Sequence, residues 1–496
     1  MTADPGTASS APPGAPADHG LLPPWGRGEL PAPPPFGARN LIRVIGPGAI
    51  LAATSIGGGE WLAGPAVAVK YSSSIFLIAT AAIALQAVFN LEAIRYTLYT
   101  GEPIYGGIMR LRPGPRFWAV FYSVVGFLQL GTPALAGAAA TTLLSAFIGR
   151  LPVEGSQDQV LQVWITTGVI GVVVLILSFG GTIERMLEYF SWTMLALVFS
   201  FLIFVNVAYV PGDHWWITFK GFFQLSGMTR PIDWLLIATF AATAGCGGIG
   251  NLTITNWVRD KGFGMGSKVG AIPSAIGGHK IQLSHLGTVF DVDETSLGRW
   301  RQWMRYVVVD QIWVWGLFCF LGMYLNVNLA THLIPKGTDL KGLAAGAYQA
   351  EYLANAVWPG YWFLTLFIGF WILFKTQLGN TDILVRTVTD TLWMSSKRLR
   401  GWRGGRIQRI YYLLLLAFSI WAVVASHLAT PMTLFMILGS IAGMVLVIAG
   451  IQILIVNRRF LPRALRPPLW REVALVGCVV FYAFFSFWVI RNLLGL

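Results

Sequence analysis

Apolar runs of about 20 residues, long enough to cross roughly 30 Å of hydrocarbon as helix, recur along the chain. They predict eleven spans, near 44–69, 73–99, 117–148, 159–180, 187–210, 233–258, 303–329, 355–378, 407–427, 431–456 and 472–494. The expected class is therefore an all-α membrane protein. Two of the spans break their own pattern. The first, "GPGAILAATSIGGGEWLAGP" at 46–65, sets Gly57, Gly58, Gly59 and the ionisable Glu60 at its middle. The sixth, "AATAGCGGIGNLTITNW" at 241–257, holds Gly245, Cys246, Gly247, Gly248 and Asn251. The two clusters lie five spans apart, the pattern of an inverted repeat whose broken helices 1 and 6 meet near the bilayer midplane and build a substrate site from freed backbone groups. On this reading residues 41–456 form a ten-span core, 41–210 and 231–456 being its two repeats, and 457–496 add a loop and the eleventh span. The alternative is that the glycines let helices pack closely.

Composition agrees with the bilayer as solvent: 55% of residues are hydrophobic and 11% charged. Residues 1–40 are rich in Pro, Ala and Gly and are expected to form a disordered cytoplasmic tail. An inside N-terminus places most of the 35 Lys and Arg on one side, so topology in a plasma (inner) membrane explains the net charge of +13 without a nucleic-acid partner. Cys246, Cys319 and Cys478 are far apart and form no CxxC or metal-ligand spacing.

The chemistry centres on Glu60. A carboxylate at mid-membrane costs about 2.5 kcal/mol or more unless it meets a partner, water or substrate. One reading makes it a ligand for a cation. Glu60, Asn251 and the carbonyls of Gly57 and Gly248, with Gly245 nearby, then supply oxygen donors suited to Mg²⁺ or Mn²⁺. A second makes it a cap on the following half-helix. A third uses backbone amides near residues 61 and 251 to cradle a small organic or anionic solute. A non-transporting sensor on the same scaffold is a fourth possibility.

Other polar groups fall within spans. Glu92 and Arg95, three apart, read as a pair on one face, as do Asp382 and Arg386, four apart; the alternative is charge relay or gating through Glu92, Arg95, Asp310 and Asp382, with Glu92 relaying protons. Asp310, with Arg305 nearby, reads as compensated, with a conformational role as the alternative. Lys375 is placed to neutralise Asp382 or Glu60, and Gln377 and Asn380 beside it point to an aqueous vestibule. No histidine lies at a break, and the loop 260–280 lacks a GxxxxGK[ST] pattern, so neither a paired-histidine zinc site nor ATP coupling is expected. No cofactor is implied and no protein partner is legible. No nucleophile, base and orienting residue occur together as an enzyme requires. The expected partners are the bilayer and a small cation or other small solute.

These residues resemble the Nramp family of proton-coupled divalent-metal transporters. The likeness rests on "GPGAILAATSIGGGEW" at 46–61, "LQ" at 85–86, Arg95, Thr100-Gly101, "ALAGAAATT" at 134–142, Asp310 and Gln377. It implies a leucine-transporter-like fold of five plus five spans with an eleventh appended. The family's metal-binding Asp and Asn fall on Gly57 and Glu60, and its Met-Pro-His on Gly248, Ile249 and Gly250. Its third-span acids fall on Ala134 and Gly137. The chain thus resembles a divergent member lacking the usual metal-binding motifs.

Overall fold

The computed structural model describes residues 18–179, 183–224, 231–272, 283–340, 342–401 and 406–495. Among the described residues nine helices are long and apolar enough to cross a membrane: Leu77–Thr100 (span 2), Pro115–Ile148 (span 3), Gln157–Ser178 (span 4), Ile183–Tyr209 (span 5), Glu294–Leu333 (span 7), Tyr361–Ser395 (span 8), Ile407–Ala425 (span 9), Pro431–Phe460 (span 10) and Leu469–Leu493 (span 11). The remaining two predicted spans are those with the glycine clusters. Span 1 runs as Pro47–Ser55, Ile56–Ala63 and Gly64–Tyr71, and span 6 as Trp234–Thr243 and Ile249–Asp260.

Burial sorts the spans into layers. Spans 8 and 10 bury 67% of their apolar windows inside the protein, whereas spans 9 and 11 bury 33% and 28%. The outer spans therefore show their apolar side chains to lipid, as Leu416, Ile420, Val480 and Phe487 do. The inner spans surround the glycine-rich segments. Gly57 packs on span 8, Gly58 on Phe435 of span 10 and Gly59 on the end of the first half of span 6.

Several helix ends are satisfied by side chains from distant spans. Span 1 starts with Pro47 at its first turn, where the missing N–H costs nothing. The amides of Gly46 and Gly48 there donate to the Asp310 carboxylate of span 7 at 3.0 and 2.8 Å. Span 3 is interrupted between Leu130 and Ala134, and the amide of Ala136 donates to Gln377 Oε1 at 3.1 Å.

The disordered tail expected over 1–40 is corrected for residues 18–40; residues 1–17 lie outside the described residues. Gly26–Arg27 pair as a short parallel strand with Thr288–Val289. Trp25 and Leu30 are buried, and Arg299, Trp303 and Tyr306 donate to the carbonyls of Leu30, Pro31 and Pro34 at 2.7, 2.8 and 3.2 Å. Proline-rich chain has no regular ladder of its own, but its exposed carbonyls accept hydrogen bonds wherever a neighbouring helix offers donors. Residues 18–40 thus form a strap across the start of span 7.

Candidate functional site

The two glycine clusters are interrupted in different ways. In span 6 the helix stops after Thr243 and restarts at Ile249, with Gly247 and Gly248 at φ +78° and +57°, a region that side chains other than glycine rarely adopt. In span 1 the expected gap is corrected to a change of winding. Ile56–Ala63 form a π-helix, so the backbone ladder continues with a wider turn. The cause is close packing. A Cβ on Gly57 would lie 2.1 Å from Thr376 Oγ1, one on Gly58 2.8 Å from the Phe435 ring, and one on Gly59 1.8 Å from the carbonyl oxygen of Thr243. The small-residue packing alternative therefore holds for these three glycines, and the Gly57 amide donates to Thr376 Oγ1 at 3.1 Å.

Four of the backbone groups freed at the span 6 break are taken by side chains. Gln86 of span 2 accepts from the Gly247 amide at 3.3 Å and donates to the Ala242 carbonyl at 3.2 Å. Gln129 of span 3 accepts from the Ile249 amide and donates to the Gly247 carbonyl, both at 3.1 Å. The Gly248 carbonyl accepts the Leu252 amide at 3.4 Å. A Cβ on Gly245 would lie 2.5 Å from Gln86 Oε1, so this glycine also makes room for the capping side chain. Two intramembrane glutamines, Gln129 unremarked in the sequence and Gln86 noted there only for its place in the family resemblance, thus do what water does at a soluble helix end. Their signal was available: a polar residue in an apolar span needs a partner.

Glu60 sits on the widened turn and is fully buried, and among the described residues neither carboxylate oxygen has a partner in hydrogen-bond geometry. Its Cγ lies 3.5 Å from where a Cβ on Gly322 of span 7 would be, so that glycine leaves space for it. The thiols of Cys319 and Cys246 are its ionisable neighbours. Of residues 241–251 Cys246 alone is only partly buried. Asn251 is fully buried; its Nδ2 donates to Asn90 at 2.9 Å and its Oδ1 has no partner among the described residues. Asn90 continues through Gln311, at 3.0 Å, to Asp310, a buried polar chain from the break in span 6 to the start of span 1. Among the described residues no three of His, Cys, Asp and Glu gather as a metal cluster.

The other singled-out residues separate from this centre. Gln377 caps the second half of span 3 and donates to Thr381 at 3.1 Å. Asn380 is 8% exposed and makes no side-chain hydrogen bond among the described residues. Glu92 accepts from Arg95 at 2.7 and 3.2 Å and from Arg471 at 3.3 Å, so the pair read from spacing is a triad. Asp382 accepts from Arg386 at 2.9 and 3.2 Å, from Trp257 at 3.0 Å and from Tyr411 at 2.7 Å, and Arg386 also binds Asp260. This clamp joins spans 6, 8 and 9. Two expected pairings are corrected. Arg305 stacks over Phe36 while Asp310 caps span 1. Lys375 reaches only Thr54 Oγ1, at 3.4 Å, and no carboxylate pairs with it among the described residues, because Asp382 is held by Arg386 and Glu60 points toward span 7.

No protein-family model matches the sequence, and no curated protein is similar to it. Solved structures are similar. The manganese transporter of Eremococcus coleocola, in the form of a point mutant, shares 13% identity over 94% of this chain and 90% of that one, with a TM-score of 0.64. The same transporter in complex with an aromatic bis-isothiourea substituted compound matches at 13% identity over 93% and 89%, with a TM-score of 0.61. At that identity the likeness speaks for fold. This chain is an integral membrane protein with the fold of the Eremococcus coleocola manganese transporter, the five-plus-five arrangement implied by its Nramp resemblance.

Proposed function

We propose that the protein is a secondary transporter that carries a small cation by alternating access, with Glu60 as the binding carboxylate and the Oδ1 of Asn251 as a further donor. The observation that carries this reading is Glu60 itself, buried with both oxygens unpartnered among the described residues. Such a group is stable in a dry interior only when a proton or a cation neutralises it. Exchange of one for the other is the elementary step of a proton-coupled carrier. The oxygen donors favour a hard divalent ion, Mg²⁺ or Mn²⁺. The test is uptake into sealed vesicles. Glu60→Gln is expected to abolish Mg²⁺ and Mn²⁺ flux while leaving the melting temperature unchanged, and undiminished flux in that variant defeats the reading.

The anion cradle built from backbone amides loses support, since the amides of Gly247 and Ile249 are occupied by glutamines. One observation favours a different organic substrate. Lys375 and Glu60 are buried charges of opposite sign, unpaired among the described residues, on neighbouring spans. A zwitterion such as an amino acid has groups for both. Lys375→Gln separates the readings: a zwitterion carrier loses flux at least tenfold, whereas a divalent-cation carrier keeps it or gains from the removed repulsion.

A further inference from the structure

A cleft of about 490 Å³ opens beside the strap, away from the carriage site. Its charged lining is four arginines: Arg95 at the end of span 2, Arg301 and Arg305 near the start of span 7, and Arg471 at the start of span 11. Its apolar walls include Trp300, Met304, Val308 and Pro468, and Phe36 of the strap closes one side. Arg95 and Arg471 share one carboxylate, Glu92, so this end of the cleft keeps an excess positive charge, and Arg471 Nε is buried without a partner among the described residues. Arg301 and Arg305 are four apart on one helix face, and no carboxylate pairs with either among the described residues. Like charges at that spacing repel each other. Arg305 instead lies over the Phe36 ring at 4.8 Å.

We infer that this cleft is a site for the phosphate headgroup of an anionic phospholipid. Charge complementarity is the first argument: four guanidiniums against one carboxylate call for an anion, and arginine forks match phosphate oxygens. Position is the second. Span 7 changes within two turns from Arg301 and Arg305 to Val308 and Val309, and then exposes Ile312, Trp313 and Leu317. Span 11 starts with exposed Leu469 and Trp470 and continues with exposed Val473 and Val476. This is the polarity profile of a membrane boundary, with basic groups at headgroup level and apolar side chains below for acyl chains. A free anion would need the guanidiniums but not the apolar walls. The bound lipid would tie the strap, span 7 and span 11 together at one point.

The test uses the delipidated full chain in detergent, titrated with phosphatidylglycerol, with phosphatidylcholine and with inorganic phosphate while the melting temperature is read. Phosphatidylglycerol is expected to raise it, and the other two to leave it unchanged at the same concentrations. The double variant Arg301→Gln/Arg305→Gln is expected to need about 30-fold more phosphatidylglycerol for the same shift, the ratio carried by two arginines near a lipid surface. If the double variant fails to fold, Arg305→Gln alone is expected to need about fivefold more. Equal stabilisation by phosphatidylcholine, or an unchanged phosphatidylglycerol response in the variants, overturns the inference. Inorganic phosphate reproducing the shift reassigns the cleft to a free anion and overturns it equally.

Discussion

Glu60 and Glu102 are both buried glutamates, at 0% and 2% exposure, and the protein treats them in opposite ways. Glu102, just past the end of span 2, accepts from Arg110 at 2.6 and 3.1 Å, from Tyr96 at 2.5 Å and from the Gly287 amide at 2.9 Å. Arg110 in turn donates to the carbonyls of His19 and Pro23 at 2.8 and 2.9 Å and lies 3.9 Å from the Trp25 ring. Both carboxylate oxygens are engaged, and the strap is pinned by the result. Glu60 has none of this. A buried charge with complete partners is a fastener, and one without partners is, on the proposed reading, the group at which a cargo ion arrives and leaves.

The largest expected effect falls on the unpaired member. Glu60→Gln should reduce cation uptake by about 100-fold or more, the loss of a buried charge contact, with no loss of thermal stability. A variant that unfolds but, when folded, still transports would reverse the assignment. The paired member should behave the other way. Arg110→Gln strands Glu102 and should destabilise the protein by about 3–5 kcal/mol, measured by thermal or denaturant unfolding. Tyr96→Phe removes one hydrogen bond from the same carboxylate and should cost about 1–3 kcal/mol, with uptake per folded molecule unchanged.

The smallest effect is on pH. Burial pushes the Glu102 pKa up, but the charge and hydrogen bonds of Arg110, with those of Tyr96 and Gly287, outweigh it and hold the group below its ordinary value of 4.5. A carboxyl lowered on folding adds stability that is fully present above pH 4.5 and is lost as pH falls through the lowered native value. Melting curves should therefore show extra acid lability below that point, and Glu102→Gln should flatten it. An acid profile identical in the wild type and Glu102→Gln would show that this pair does not fasten the strap.

The parts of the molecule that were legible beforehand share one property: their cause is local. Span length follows from a run of apolar residues, and the Glu92–Arg95 and Asp382–Arg386 pairs follow from helical spacing. The span 6 break followed from clustered glycine, which of the two clusters only there meets positive φ. The parts that were missed depend on partners far along the chain. Gln86 and Gln129 meet the span 6 break from residues about 120 to 160 positions away. Asp310 caps a helix 262 residues earlier, and the proline-rich strap gains order because span 7, Arg110 and the strand at Thr288–Val289 offer it partners.

By itself the sequence determined that this chain lives in a bilayer, how many times it crosses, and where its ladder is weakest, since apolar length and glycine content act within one helix. Only the tertiary structure decided which weak point opens and which merely widens, because that depends on what lies against the backbone. The same is true of the carboxylates. Glu60 and Glu102 carry one side chain chemistry, and their difference comes wholly from the donors that folding brings, or fails to bring, to each.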